Sequence, residues 1–258
     1  MTTTTERRQV AVVTGAATGI GFGITQRLLD DGITVVMAGL DVELLEKARA
    51  RLGVLNRTDT FAGDLSAPGV SEAMIESART HFGRIDILVN NAGGGLIAPT
   101  LEHTEETLQA TIDRNLWTTL RSTLAVLPSM VNQGYGRIVN IGAESVRNGL
   151  TDHAVYNAAK GGVHALATGL AREFARHGIT VNVVAPSYTR TDEIDAAIAG
   201  GRIGPRFRKV LDDATCLIPM GRGAEVDEIA AAVAFLARED SRFITGQIIS
   251  VNGGSSMS

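Results

Sequence analysis

Cysteine is nearly absent: Cys216 is the single one among 258 residues. No intrachain disulfide can form, and the chain suits a reducing compartment. Long apolar runs are missing too, since nothing approaches the roughly 20 residues that a membrane-spanning helix needs. Positive charge is scarce, with 24 Lys and Arg against 28 Asp and Glu for a formal charge of −4. That balance gives neither nucleic acid nor an anionic membrane a reason to bind. Residues 1–9, MTTTTERRQ, are polar and precede only a strand-length apolar run, so no signal-peptide core is expected. These absences together lead us to expect a soluble, cytoplasmic protein whose residues 1–8 form a flexible tail. One local exception to the charge balance is GRIGPRFRK at 201–209. It reads as a solvated loop face, with an anion-binding flap over a substrate as the alternative.

What is present is ordinary globular composition, 44 % hydrophobic and 20 % charged, with 29 glycines that suggest many close backbone approaches. Short Val- and Ile-rich runs recur at VAVVTG (10–15), TVVMAG (34–39), RIDILVNNAG (84–93), GRIVNIG (136–142), ITVNVVAP (179–186) and GQIISVNGG (246–254). Longer stretches with helical spacing separate them. Ile20, Ile24, Leu28 and Leu29 share a face in the first such stretch, while Gly32, Gly53 and Gly178 sit where helices should end. Alternating strands and helices with nearly all-apolar strands indicate a parallel sheet covered on both faces. No linker or repeat interrupts residues 1–258, so a single domain is expected. Between 187 and 220, Gly200, Gly201, Gly204 and Pro205 break any long pattern, as a substrate flap would.

The first strand runs into TGAATGIGFG (14–23), with Gly15, Gly19 and Gly21 at the strand-to-helix turn and Thr18 and Ile20 between them. Glycines there let the backbone reach a pyrophosphate, and the helix that follows offers free N–H groups and the positive end of its dipole. A dinucleotide-binding turn is the reading. Further on, Tyr156 and Lys160 of YNAAK lie one helical turn apart, hence on one face. Oxidising an alcohol removes a hydroxyl proton as hydride leaves, and a Tyr phenol, ordinarily titrating near about 10, needs a neighbouring cation to serve as the base at neutral pH. We therefore expect Lys160, together with the positive charge of an oxidised dinucleotide in a dry site, to lower Tyr156 toward about 7, a change of about 4 kcal/mol.

The turn has the spacing T-G-x-x-x-G-x-G. Together with NNAG (90–93), Asn115, YNAAK (156–160), NVVAP (182–186) and ITGQIISVNGG (244–254), it closely resembles the short-chain dehydrogenase/reductases over about residues 8–254. The resemblance implies a doubly wound Rossmann fold with a seven-stranded parallel sheet, a nicotinamide cofactor, a small alcohol or ketone substrate and a homotetramer. It implies cofactor contacts at Asp64 and Leu65, at Asn91, Ala92 and Gly93, and at Pro186 and Thr191. It also places Lys160 on the nicotinamide ribose, and Asn115 beside a water leading to that lysine.

Departures from the family pattern are informative. Ser187 stands where a Gly usually follows Pro186. The second strand ends in Gly39, Leu40 and Asp41, where the family's NAD-binding Asp would fall on Gly39 and its NADP-binding Arg on Leu40. With no basic residue in the turn and Asp41 near a 2′-phosphate, NAD is favoured and NADP is the alternative. Asp41 equally suits the N-cap of the next helix. The family's substrate-binding Ser lies thirteen residues before the Tyr, which here is Ala143. If the chain stays extended, Ser145 points to the same side and would supply the hydroxyl. The alternatives are a Ser that only caps a loop, or His153 as the donor. The stretch from GRIVNIG to AREFARHGITVNVVAP most resembles members that oxidise cyclic substrates, such as cis-dihydrodiol and hydroxycyclohexane-carboxyl-CoA dehydrogenases. Two other readings stand against this one. A halohydrin dehalogenase is opposed by the intact glycine turn and Lys160, and a non-catalytic cofactor sensor by the intact Tyr156, Lys160 and Asn115.

Overall fold

The computed structural model describes residues 8–257; of the expected tail at 1–8, residues 1–7 lie outside them, as does Ser258. In chain order the elements are β1 (Val10–Thr14), α1 (Gly19–Asp30), β2 (Thr34–Gly39), α2 (Val42–Leu52), β3 (Thr58–Ala62), α3 (Val70–Phe82), β4 (Ile87–Asn90), α4 (Glu105–Ile112), α5 (Thr118–Gln133), β5 (Gly136–Ile141), α6 (Ser145–Asn148), α7 (Ala154–Phe174), β6 (Ile179–Pro186), α8 (Asp192–Ala199), α9 (Pro205–Cys216), α10 (Val226–Ala237) and β7 (Ile248–Val251). Their strands form one sheet in the order β3-β2-β1-β4-β5-β6-β7, and every pairing is parallel.

Six of these strands are the six apolar runs. The seventh, β3, is an edge strand of sequence TDTFA in which only Thr58 is fully buried. An edge strand needs no apolar run on both faces, which is why its sequence carries no such signal.

Strand alternation sends side chains to two separate cores. Ala11, Val13, Val35 and Met37 pack with Ile24 and Leu28 of α1, Leu45 of α2 and Val233 of α10. Val12, Val36 and Leu88 pack on the other face with Met74 of α3, Val126 of α5 and Ala167 of α7. The helix ends are as the glycines suggested: Gly53 and Gly178 cap in the left-handed region, with Gly32 just past α1 at φ +86°. Residues 187–220 are not patternless, because they carry α8 and α9 with the glycines between them.

Strand order reverses between β1 and β4, so the loops leaving these two strands diverge and leave a crevice at their C-terminal ends. Buried Thr14 stitches the two ends together. Its hydroxyl accepts from the N–H groups of Asn91 (3.0 Å) and Ala92 (2.9 Å), and Asn91 Nδ2 donates back to the carbonyls of Thr14 and Gly15 at 3.1 Å each.

Candidate active site

Over that crevice opens a cleft of about 640 Å³ lined by Gly15, Thr18, Gly19, Ile20, Asn91, Ala92, Gly93, Tyr156, Lys160, Pro186 and Thr191. These are eleven of the positions singled out in the sequence, drawn from β1, α1 and the loops after β4 and β6, with α7 closing the set. Gly21 lies buried behind the turn, where a Cβ would stand 2.0 Å from the Gly15 carbonyl oxygen. Only glycine permits that approach. Gly15 and Gly19 hold φ values of +64° and +51°, backbone that a side chain would strain. Thr18 begins α1 without spending its side chain on a cap, and the first turn carries no acidic residue. The free N–H groups of that turn thus face the cleft, a fit for a pyrophosphate, with Glu193 of α8 as the nearby carboxylate, 3.8 Å from where a Cβ on Gly19 would stand.

Four expected positions serve the fold directly. Asp41 caps α2, its Oδ1 accepting from the Leu44 N–H at 3.0 Å, while Leu40 beside it is 72 % exposed. Asp64 accepts from the N–H and hydroxyl of Ser66 at 3.0 and 2.7 Å. Leu65 is buried against the core that contains Met74 and Val36. Asn115 is fully buried within a π-helical turn, Asp113–Trp117, that joins α4 to α5. Its Nδ2 donates to the carbonyls of Gly94 and Thr111 at 2.8 Å each, and its Oδ1 accepts from the Gly94 N–H at 3.1 Å. A π turn of this kind re-aims one side chain, and here it fixes the glycine loop after β4. A Cβ on Gly93 would meet Asn115 Oδ1 at 2.7 Å and Lys160 Nζ at 3.2 Å.

On α7, Lys160 Nζ donates to the Ile141 carbonyl at 2.8 Å and lies 5.9 Å from the centre of the Tyr156 ring. Burial pulls Lys160 down to about 8. Burial also pushes Tyr156 up to about 12, so Lys160 alone does not bring about the expected lowering. The physical reason is that in the protein alone the loss of water around the phenol outweighs a single cation held on a carbonyl. Additional positive charge in the cleft is needed to bring the phenolate into range.

The folded chain holds the Lys160 proton less readily than the unfolded chain, so below pH 8 the buried cation costs stability, and the cost fades as pH rises from about 8 toward 10.5. The gap between those values amounts to about 3 kcal/mol, partly offset by the hydrogen bond to Ile141. Lys160→Met should therefore stabilise the cofactor-free protein by about 1–2 kcal/mol at pH 7. Urea unfolding at pH 7 and pH 10 checks this: the advantage should shrink at the higher pH. A destabilised variant at pH 7 would contradict it.

The chain does not stay extended past β5. Glu144 is helical, with φ −67° and ψ −27°, and α6 begins at Ser145. Ser145 is buried, and its hydroxyl donates to Asn157 Oδ1 at 2.6 Å while Asn157 Nδ2 donates to the Ser145 carbonyl at 2.8 Å. It lines, with Ala143, His153 and Tyr156, a pocket of about 180 Å³ whose other walls include Ile97, Leu150, Phe207 and Leu211. Two cations of the basic stretch in α9 are paired with carboxylates: Arg206 bonds Glu102 (2.9 Å) and Asp152 (3.1 Å), and Lys209 pairs with Asp213.

Two residues that shape the site escaped the sequence reading. His164 Nε2 accepts from the Ala143 N–H at 3.3 Å. Its pKa falls to about 4, first through burial and then through the charges of Arg147 and Lys160, so it stays neutral and ties β5 to α7. The spacing 156, 160, 164 on one helical face was the available signal. Glu144 is fully buried, with Oε1 accepting from the Ser256 hydroxyl and Oε2 without a partner.

Residues 15–256 match the model of a family described as enoyl-(acyl carrier protein) reductase. The chain is 51 % identical over 252 residues to the 2,3-dihydroxy-2,3-dihydro-p-cumate dehydrogenase of Pseudomonas putida, covering 96 % of this chain and 95 % of that protein. It is 34 % identical over 258 residues to the 1,6-dihydroxycyclohexa-2,4-diene-1-carboxylate dehydrogenase of Acinetobacter baylyi, with 95 % of each covered. Among solved structures, an actinorhodin polyketide ketoreductase variant with NADPH superimposes with a TM-score of 0.87 at 31 % identity, covering 96 % of this chain and 97 % of that one.

Proposed function

Since the chain belongs to the short-chain dehydrogenase/reductase family of oxidoreductases, we propose that it is an NAD-dependent dehydrogenase of a cyclic dihydrodiol. The observation that carries the reading is one cleft holding the glycine turn, the Asn91–Gly93 loop and the Tyr156–Lys160 pair. Dihydrodiol substrates appear in the names of both dehydrogenase relatives. The apolar walls of the adjoining pocket, Ile97, Leu150, Phe207 and Leu211, suit a hydrocarbon ring.

The bound nicotinamide supplies a hydride acceptor and a positive charge. Tyr156 takes the proton of the hydroxyl being oxidised as the hydride leaves the same carbon, and the bond left behind closes to a ketone. In a cyclohexadiene diol that hydroxyketone then enolises to a catechol, so two electrons and two hydrogens leave the diol in all. Lys160 stabilises the phenolate and holds the nicotinamide ribose. Asn115 orients the loop after β4 and the water leading to Lys160. Gly15, Thr18, Gly19, Ile20 and Gly21 cradle the pyrophosphate, Asp41 and Asp64 with Leu65 flank the adenosine end, and Pro186 and Thr191 border the nicotinamide. Ser145 donates to the substrate oxygen by turning its hydrogen away from Asn157. A cytoplasmic homotetramer is part of the proposal, supported by the lone cysteine and by the exposed Trp117, just before α5, and Leu124 within it. Formation of NADH from NAD and an arene cis-dihydrodiol tests the activity, and no reduction with either dinucleotide would refute it.

For the cofactor, the absence of Lys and Arg from residues 14–23 and 39–41 supports NAD. NADH should bind at least about 10-fold more tightly than NADPH, and Leu40→Arg should narrow or reverse the gap by offering the 2′-phosphate a bidentate partner. Titration of each dinucleotide by thermal shift checks both, and an NADPH preference in the unmodified protein would overturn the assignment.

A further inference from the structure

His153 sits directly before α7, three residues ahead of Tyr156, and is buried with only 8 % of its surface exposed. Its Nδ1 lies 2.7 Å from the Thr151 carbonyl oxygen. A carbonyl only accepts, so Nδ1 carries the hydrogen and the acceptor lone pair of the imidazole tautomer is at Nε2. No group among the described residues donates to that nitrogen, yet it is not among their sealed-off polar atoms as His103 Nε2 is. The ring lines both the cofactor cleft and the adjoining apolar pocket. It stands edge-on to the Tyr156 ring, with centres 6.1 Å apart.

The backbone that presents this ring is held at a cost. Asp152 has a φ of +66°, the one non-glycine residue in the left-handed region among the described residues. Arg206 of α9 bonds the Asp152 carboxylate and, from the same guanidinium, Glu102. Strain beside a pocket residue, maintained by a contact from another element, is a pattern found where orientation matters.

We propose that His153 Nε2 accepts a hydrogen bond from the second hydroxyl of a vicinal diol, the one that is not oxidised, and so selects diols over monohydric alcohols. This deepens the dehydrogenase reading and rests on it. An unpaired acceptor in the pocket asks for a donor, and the hydroxyl on the neighbouring ring carbon is the donor that a dihydrodiol brings while its partner hydroxyl faces Tyr156. A monohydric alcohol of the same ring leaves Nε2 unanswered, and a site built to bond a hydroxyl discriminates against the analogue lacking it. Ala143, without a side-chain donor, leaves the space open for this arrangement. The role is the opposite of the donor that the sequence suggested for His153, because the tautomer is set by Thr151.

The test compares kcat/KM for the cis-1,2-dihydrodiol of benzene with that for 2-cyclohexen-1-ol, both with NAD, in the wild-type protein and in His153→Phe and His153→Gln. The ratio of the two values should fall at least about 10-fold in the Phe variant, and the Gln variant, whose amide oxygen accepts, should recover part of it. A ratio unchanged in the Phe variant would overturn the assignment, since a ring that only shapes the pocket affects both substrates alike. Loss of the ratio in both variants with no recovery by Gln would equally overturn it. A wild-type protein that oxidises neither compound with NAD or NADP would instead defeat the dehydrogenase reading and take this inference with it. Should the Phe variant unfold, the comparison of Gln with wild type decides: a ratio kept within about threefold supports the acceptor role, and a collapse of the ratio contradicts it.

Discussion

Replacing Tyr156 by Phe is expected to lower turnover by at least about 100-fold while leaving NADH affinity within about threefold. The ring stays, and with it the packing against His153 at 6.1 Å and the cation over its face at 5.9 Å. Only the hydroxyl that exchanges the proton is lost. Because burial alone drives this phenol up to about 12, the phenolate forms only when the cleft holds its positive partners. Activity should therefore depend on pH as a function of the loaded site rather than of the free protein. Steady-state rates together with a dinucleotide titration separate the outcomes: an active Phe variant would remove Tyr156 from the chemistry, and a variant that fails to bind NADH would make it a structural residue.

A second large effect is expected from Gly21→Ala. The added carbon would stand 2.0 Å from the Gly15 carbonyl oxygen and 2.5 Å from Asn91 Nδ2. Neither neighbour can yield freely, because Asn91 is itself bonded to the carbonyls of Thr14 and Gly15. The start of α1 must move off the turn, at a cost of about 3 kcal/mol in stability and at least about 10-fold in dinucleotide affinity. Gly169→Ala on α7 is the matched control. Nothing lies within 4 Å of its would-be Cβ, so the helix should gain a few tenths of a kcal/mol up to about 1 kcal/mol. Thermal unfolding with and without NADH measures both variants. Similar behaviour of the two would show that the turn tolerates a side chain and that the close approach at Gly21 is unimportant.

How much of this was readable beforehand follows from what each feature demands of the sequence. Strands buried on both faces must be apolar throughout, so β1, β2, β4, β5 and β6 announced themselves; of the two edge strands, half-buried β7 still carries the apolar run IISV, whereas β3, with Asp59 and Thr60 partly open, does not. The glycine turn and the Tyr156–Lys160 pair were legible because close backbone approach and helical spacing constrain residue type locally. The Ser145 geometry was not, because it depends on Glu144 turning helical and on Asn157 twelve residues away. The His153 tautomer depends on a carbonyl two residues back in a loop that a distant arginine holds. The weight of burial at Tyr156 in the protein alone was illegible for a related reason: spacing says which charge is near, and burial emerges only from the packed fold.

Direct transfer of hydrogen from substrate to cofactor tests the central claim most immediately. A cyclic cis-dihydrodiol deuterated at both carbinol carbons, incubated with NAD and the wild-type protein, should yield NADH bearing one deuterium on the nicotinamide ring, with a catechol as the other product. NADH without deuterium, or no NADH with the diol fully consumed, would contradict the account.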